Sequence, residues 1–294
     1  PRVRRQRQMC IRDSNYAIEK KEGTLTITAA DAEVIVTIAG NTDNVLYDGN
    51  SHSVNGYTVK SISSKLYTVD DFKFNGTDSV TQTDAGTYPM GLKAEQFSNN
   101  NENFKKVTFV VEDGILTIRK RNVTLTSETA SKTYDGTPLT KPDVTIGGDG
   151  FVAGEVTDIK ATGSVTYVSE GEVTNTITYT EGTNFKESNY NITKTEGKLS
   201  ITAATAKVTV TITGNKVTET YDGSEKTAKG YTVSIDNDLY TEDDFTFTGE
   251  AEVKATNAGT YDMGLNKSQF KNKNNNFSDS NVEFVVTDGK LEIE

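Results

Sequence analysis

The stretch Lys132-Thr133-Tyr134-Asp135-Gly136-Thr137-Pro138 contains a triplet, Tyr-Asp-Gly, that stands at three places in the chain: Tyr47–Gly49, Tyr134–Gly136 and Tyr221–Gly223. The spacing is 87 residues both times. Self-similarity at a fixed period marks tandem modules. Asp-Gly suits a tight turn, because Gly accepts positive φ without a steric penalty.

The sequence around each triplet separates two kinds of module. The first and third share Tyr67-Thr68-Val69-Asp70-Asp71-Phe72 against Tyr240-Thr241-Glu242-Asp243-Asp244-Phe245, and Met90-Gly91-Leu92 against Met263-Gly264-Leu265. They also share Asp84-Ala85-Gly86-Thr87-Tyr88 against Asn257-Ala258-Gly259-Thr260-Tyr261. The middle one carries instead Asp149-Gly150-Phe151-Val152-Ala153-Gly154-Glu155 and Asn189-Tyr190-Asn191-Ile192. Its tail, Asn189 to Ala204, matches Asn15 to Ala30. Residues 15–30 therefore read as the last strand of a truncated upstream module, followed by modules of kind A (31–119), kind B (120–204) and kind A (205–294).

Alternating apolar and polar residues mark half-buried strands. Leu25 and Ile27, Leu116 and Ile118, Leu199 and Ile201, and Leu291 and Ile293 alternate at equivalent places. Each following module opens with a second alternating run, such as Val34, Val36 and Ile38 or Val208, Val210 and Ile212. Helical periodicity is confined to Lys93–Phe97 and Lys267–Phe270, one turn each. The joints Ala29–Ala32, Arg119–Asn122 and Ala203–Ala206 lack the Gly and Ser of a flexible linker, which predicts a monomeric stiff rod within a longer chain.

Composition narrows the function classes. A net charge of −11 opposes nucleic-acid binding, which needs a basic footprint. No apolar run is long enough to span a membrane. One His and one Cys leave little for metal, disulfide or nucleophilic chemistry. That Cys, Cys10, falls with five of the seven Arg in residues 1–14, a stretch that resembles a translated sequencing adapter and is set aside from fold reasoning. What remains has no cysteine, as in a reduced cytosolic protein or a disulfide-free bacterial surface protein.

Asp84–Tyr88 and Asn257–Tyr261 have the pattern of a tyrosine corner, found in Greek-key sandwiches. The fold expected is all-β: tandem immunoglobulin-like β-sandwich modules in an elongated array. The alternative is β-grasp-like modules with one short helix, should Lys93–Phe97 pack on a sheet.

Lys132–Thr140, Gly150–Glu155, Asn189–Ile192 and Glu196–Ile201 resemble the MBG-type (mucin-binding-like) repeats of large surface proteins of Gram-positive bacteria, and the A modules are similar to companion repeats of the same proteins. The resemblance implies an extracellular, cell-wall-attached protein whose repeats serve adhesion or form a stalk. It carries over no ligand-contact residues.

Among candidate site residues, Asp70, Asp71, Asp243 and Asp244 are the recurring acidic pairs. Adjacent carboxylates can hold Ca²⁺, which takes six to eight oxygen ligands. The competing reading is a capped turn, since Thr68 and Thr241 stand three residues before the second Asp of each pair. The Asn-rich stretches Asn99–Asn103 and Asn272–Asn276 read as solvated connections or as ligand loops, with Tyr67 and Tyr240 as sugar-stacking rings or core. His52 is matched by Lys226 in the third module and reads as a surface residue. Lys207 suits a Lys–Asn crosslink, but Glu33 at the equivalent place does not. Gly147–Gly150 lacks the Lys-Ser/Thr and helix of a phosphate loop and reads as a turn. The expectation is a non-catalytic, cofactor-free fragment of an adhesin that contacts host mucin or glycan. A passive spacer, and the accessory region of a secreted polysaccharide-active enzyme, are the alternatives.

Overall fold

A computed structural model describes Glu19 and residues 21–294. The expectations for residues 1–14, and for most of 15–20, lie outside the described residues. The protein is all-β, with 51% of the described residues in strands or bridges. Helix among the described residues is limited to three-residue 3-10 turns, such as Ala94–Gln96 and Lys267–Gln269. The single turn expected at each place is present as a 3-10 turn, and the one at Ala94–Gln96 is too short to be the packed helix of the β-grasp alternative. Two or three residues cannot bury an amphipathic face.

The chain divides into two compact units: Pro1–Asp43 with His52–Gln82 and Thr87–Leu116, and Asn44–Ser51 with Thr83–Gly86 and Thr117–Glu294. In the first unit, Val34–Gly40 pairs antiparallel with Tyr57–Ile62 and parallel with Val107–Glu112. Alternation decides which face is buried: Val34, Val36 and Ile38 are at most 2% exposed. Phe109, on the parallel neighbour beside Val36, stacks on Phe97, and Phe72 meets both rings edge-on.

The second unit repeats this plan twice. Its central strands are Arg121–Ser127, between Val144–Gly148 and Tyr190–Thr195, and Val208–Gly214, between Tyr231–Ile235 and Val282–Thr287. Each has one antiparallel and one parallel neighbour. A second three-stranded sheet closes each repeat: Gly197–Thr202 between Ala130–Thr133 and Val173–Asn175, and Lys290–Ile293 between Lys216–Glu219 and Gly259–Asp262. Short antiparallel pairs face these sheets and complete the immunoglobulin-like sandwiches. Residues 208–212 pack on Phe245 and Phe270, while Leu291 and Ile293 pack on Ala228 and Met263.

Among the described residues buried polar side chains are few, and each is bonded, as an apolar interior requires. Asn175 is fully buried; it accepts from the Gly163 amide at 3.0 Å and donates to the carbonyls of Glu128 and Lys141. The Tyr261 hydroxyl donates to the Asn257 carbonyl at 3.1 Å, the bond expected of a tyrosine corner.

The segment 21–29 departs from expectation. It contains no strand, and Leu25 and Ile27 are 89% and 85% exposed. Leu199 and Ile201, in the matching sequence, are buried because their strand lies between two partners. Alternation makes a strand possible, but pairing and a facing core are what hold it.

Candidate functional site

The acidic pairs are placed by the turns they cap. Asp71 accepts from the Thr68 amide at 2.6 Å and from the Thr68 hydroxyl at 3.1 Å. Its other oxygen accepts from Asn101 Nδ2 at 2.7 Å. The bonds from Thr68 and then Asn101 hold its carboxyl below the usual carboxylate range. Asp244 is bonded in the same way by Thr241 and Asn274. This is the capped-turn reading: both oxygens of the second Asp in each pair are engaged by donors of the fold. Asp70 and Asp243 are exposed. Among the described residues, no three His, Cys, Asp or Glu side chains gather in a cluster able to hold a metal ion.

The Asn-rich stretches are also internal scaffolding. Asn99 accepts from the Asn101 amide and the Tyr67 hydroxyl, and donates to the carbonyls of Asn101 and Phe104. Asn272 repeats the pattern with Asn274, Tyr240 and Phe277. Tyr67 and Tyr240 are each 2% exposed, so the sugar-stacking reading of these rings is corrected to core. Burial also raises the pKa of both phenols. His52 opens a strand paired with Ser79–Gln82, and Lys226 opens the equivalent strand paired with Glu252–Ala255. Lys207 is exposed, and Glu33 accepts from Thr108. Gly147 and Gly148 end the strand Val144–Gly148 and the chain turns at Asp149, with Gly148 and Gly150 at φ 75° and 66°.

The polar centre of the second unit is one that sequence reasoning missed. Glu155 is 4% exposed and accepts from two phenols, Tyr47 at one oxygen and Tyr190 at the other, both at 2.6 Å. Tyr190 in turn accepts from the Val152 amide at 3.1 Å. The Tyr47 ring meets Tyr190 edge-on at 5.7 Å, and Phe185 stacks on Tyr190 from the other side. Burial, then the bond to Glu155, pushes the Tyr47 phenol up to about 12. Around this centre, Asn189 accepts from the Ala85 amide at 2.7 Å and donates to Asp84, which also pairs with Lys186. Arg121 donates to the Tyr47 carbonyl at 3.1 Å and to the Gly150 carbonyl at 2.7 Å.

Tyr47 and Ala85 come from the first repeat of the sequence; Glu155, Asn189 and Tyr190 come from the second. The motifs that distinguish the middle module, Gly150–Glu155 and Asn189–Tyr190, thus form a seat for the preceding Tyr-Asp-Gly turn. The one signal in the sequence was Glu155, a carboxylate beside the apolar run Phe151-Val152-Ala153. Beside the seat lies an open cleft of about 590 Å³, bordered by Asp48, Asp84, Asn184 and Lys186.

A corresponding seat joins the second and third repeats. Tyr134 meets Phe277 edge-on at 5.7 Å and lies 6.3 Å from Tyr167. Asn276 accepts from the Val168 amide at 2.9 Å, as Asn189 does from Ala85.

No curated protein is significantly similar to the chain. Solved structures similar to it include the I9–I11 tandem of titin, at 10% identity over 88% of this chain and 98% of that one, TM-score 0.24. The four N-terminal immunoglobulin domains of Dscam1 isoform 7.44 match at 11% identity over 89% and 72%, TM-score 0.20. The fold described above rests on its own strands and not on these likenesses. Residues 207–294 match the family model described as MBG domain. That match falls on a module of kind A, whereas the motifs quoted from the sequence for the resemblance lie in the middle module. The matched segment supports an MBG-type repeat region.

Proposed function

We propose that the chain is a non-catalytic repeat region of an extracellular bacterial surface protein, and that its modules act as a spacer. The observation that carries this reading is the use of the recurring polar and aromatic features. The Asp pairs, the Asn-rich stretches, Tyr67 and Tyr240 cap turns or fill cores, and the Tyr-Asp-Gly turns of the first two modules are seated in the module that follows. Cell-wall attachment and a stiff, rod-like monomer belong to the same proposal. They are supported by the family resemblance and by joints without Gly or Ser.

A second reading, adhesion to mucin or another glycan, is favoured by the cleft beside Glu155. Its polar rim of Asp84, Asn184 and Lys186 offers hydrogen bonds to hydroxyls. Binding of residues 30–294 to mucin and to a glycan array, with Ca²⁺ and with EDTA, separates the two readings. The spacer predicts no saturable binding in either condition. Saturable binding lost on Lys186→Ala would establish adhesion at the cleft, and loss in EDTA would make the Asp pairs calcium ligands.

A further inference from the structure

The three Tyr-Asp-Gly turns have the same internal geometry. In each, the Tyr amide donates to the carbonyl at the end of its own module: Arg119 at 2.9 Å, Thr202 at 2.8 Å and Glu294 at 2.7 Å. In each, the Asp side chain accepts from the amide two residues on, Asn50, Thr137 or Ser224, at 2.9 Å. The glycines have φ of 81°, 78° and 81°. The turn is thus built by its own module, whatever lies beyond it.

What lies beyond differs. Tyr47 is 3% exposed and Tyr134 half-buried, but Tyr221 is 53% exposed. A Cβ on Gly49 would come within 3.2 Å of Val152, and one on Gly136 within 2.8 Å of Leu239, whereas one on Gly223 meets nothing within 4 Å. The second contact of the seat is open as well. Ala85 and Val168 donate their amides to Asn189 and Asn276, while Ala258, the equivalent of Ala85, is exposed.

From these differences we infer that the face bearing Tyr221, Gly223 and Ala258 is a docking surface for one kind of partner, another module of the middle type. The choice of partner follows from kind. Tyr221 and Tyr47 belong to modules of the same kind, and Tyr47 is received by a carboxylate, an aromatic ring and an Asn amide at Glu155, Tyr190 and Asn189. The partner of Tyr221 therefore supplies that triad. Asn257 replaces Asp84, so the ion pair with Lys186 is not made. That pair is exposed on both sides, and exposed pairs contribute little.

The test is a chain in which residues 205–294 replace residues 31–119, so that the Tyr221 turn precedes a middle module with its own successor intact. Hydrogen exchange is read at Ala258 in this chain and in the parent. The expected result is exchange at Ala258 slowed about tenfold or more, with the slowing abolished by Tyr221→Ala and by Asn189→Ala. Unchanged exchange at Ala258, with the middle module's own strands protected as in the parent, would overturn the inference. A second arm needs only the parent chain. Tyr221→Ala is expected to leave its thermal midpoint unchanged, whereas Tyr134→Ala lowers it. Equal losses would show that the tyrosine serves its own module, and would also overturn the proposal.

Discussion

The two occupied seats receive the same turn with different chemistry. At the first, Tyr47 enters a polar pocket where Glu155 accepts from two phenols and Asn189 accepts from a backbone amide. At the second, Tyr134 lies against Phe277 and Tyr167, and only the Asn-to-amide bond, Asn276 to Val168, is kept. The constant parts are therefore the turn and one amide bond that fixes orientation. The variable part is the lining, which sets strength. A buried carboxylate bonded by two phenols is costly to disturb, because removing one partner strands the others without water. An aromatic seat loses only contact area when trimmed.

The largest difference between the seats is expected from Glu155→Ala. It leaves two buried phenols without their acceptor, at about 3 kcal/mol for the pair. Urea unfolding followed by exchange at the Ala85 amide should show the loss concentrated at the first seat. Strand Val208–Gly214 should keep its protection. An equal loss in both places would mean that the two seats are not independent.

Alkaline pH probes the first seat without mutation. The Tyr47 phenol is neutral in the fold up to about 12, whereas in the unfolded chain it ionises near its ordinary value of 10.0. A raised pKa contributes stability that is complete below the unfolded value and lost as pH rises through the folded one. Two units correspond to about 3 kcal/mol. Ala85 exchange, corrected for the intrinsic rate, should therefore lose protection between pH 10 and 12. Glu155→Gln should flatten part of that dependence.

How far these seats could be read from sequence depends on whether the signal was local. Strand positions such as Val208, Val210 and Ile212 were legible, because period-two alternation is a property of neighbours in the chain. The capped turns were legible for the same reason, since Thr68 and Asp71 lie three residues apart. The sequence leaves Tyr67 and Tyr240 open between core and surface. Their burial depends on Phe104 and Phe277, which lie 37 residues further on and meet them edge-on. The Glu155 centre joins residues 108 and 35 apart in sequence. No local pattern encodes such a meeting, so the motifs were recognised as repeat markers while their shared purpose was not. Leu25 and Ile27 show the converse, a local pattern with no partner to complete it.

The shared element of the two seats should respond equally. Asn189→Ala and Asn276→Ala each remove the acceptor of one backbone amide, at about 1–2 kcal/mol. Asn189→Ala also removes a bond to Asp84, but Asp84 keeps Lys186, so little more is expected there. Thermal unfolding of the two variants should give similar shifts. A much larger effect at Asn189 would mean that the polar seat is one cooperative network.

The smallest effects test the chemistry atom by atom. Tyr47→Phe deletes one hydroxyl and leaves Glu155 with Tyr190 as its remaining phenol donor, so a loss of about 1–2 kcal/mol is expected. Tyr134→Phe deletes the same atom from a ring held by edge-on aromatic contact, and should change stability by less than about 0.5 kcal/mol. The pair is informative because ring, turn and backbone bond are the same in both variants. Only the receiving chemistry differs. If the two substitutions cost the same, the carboxylate seat adds nothing beyond shape, and the turn alone would account for how each module engages the next.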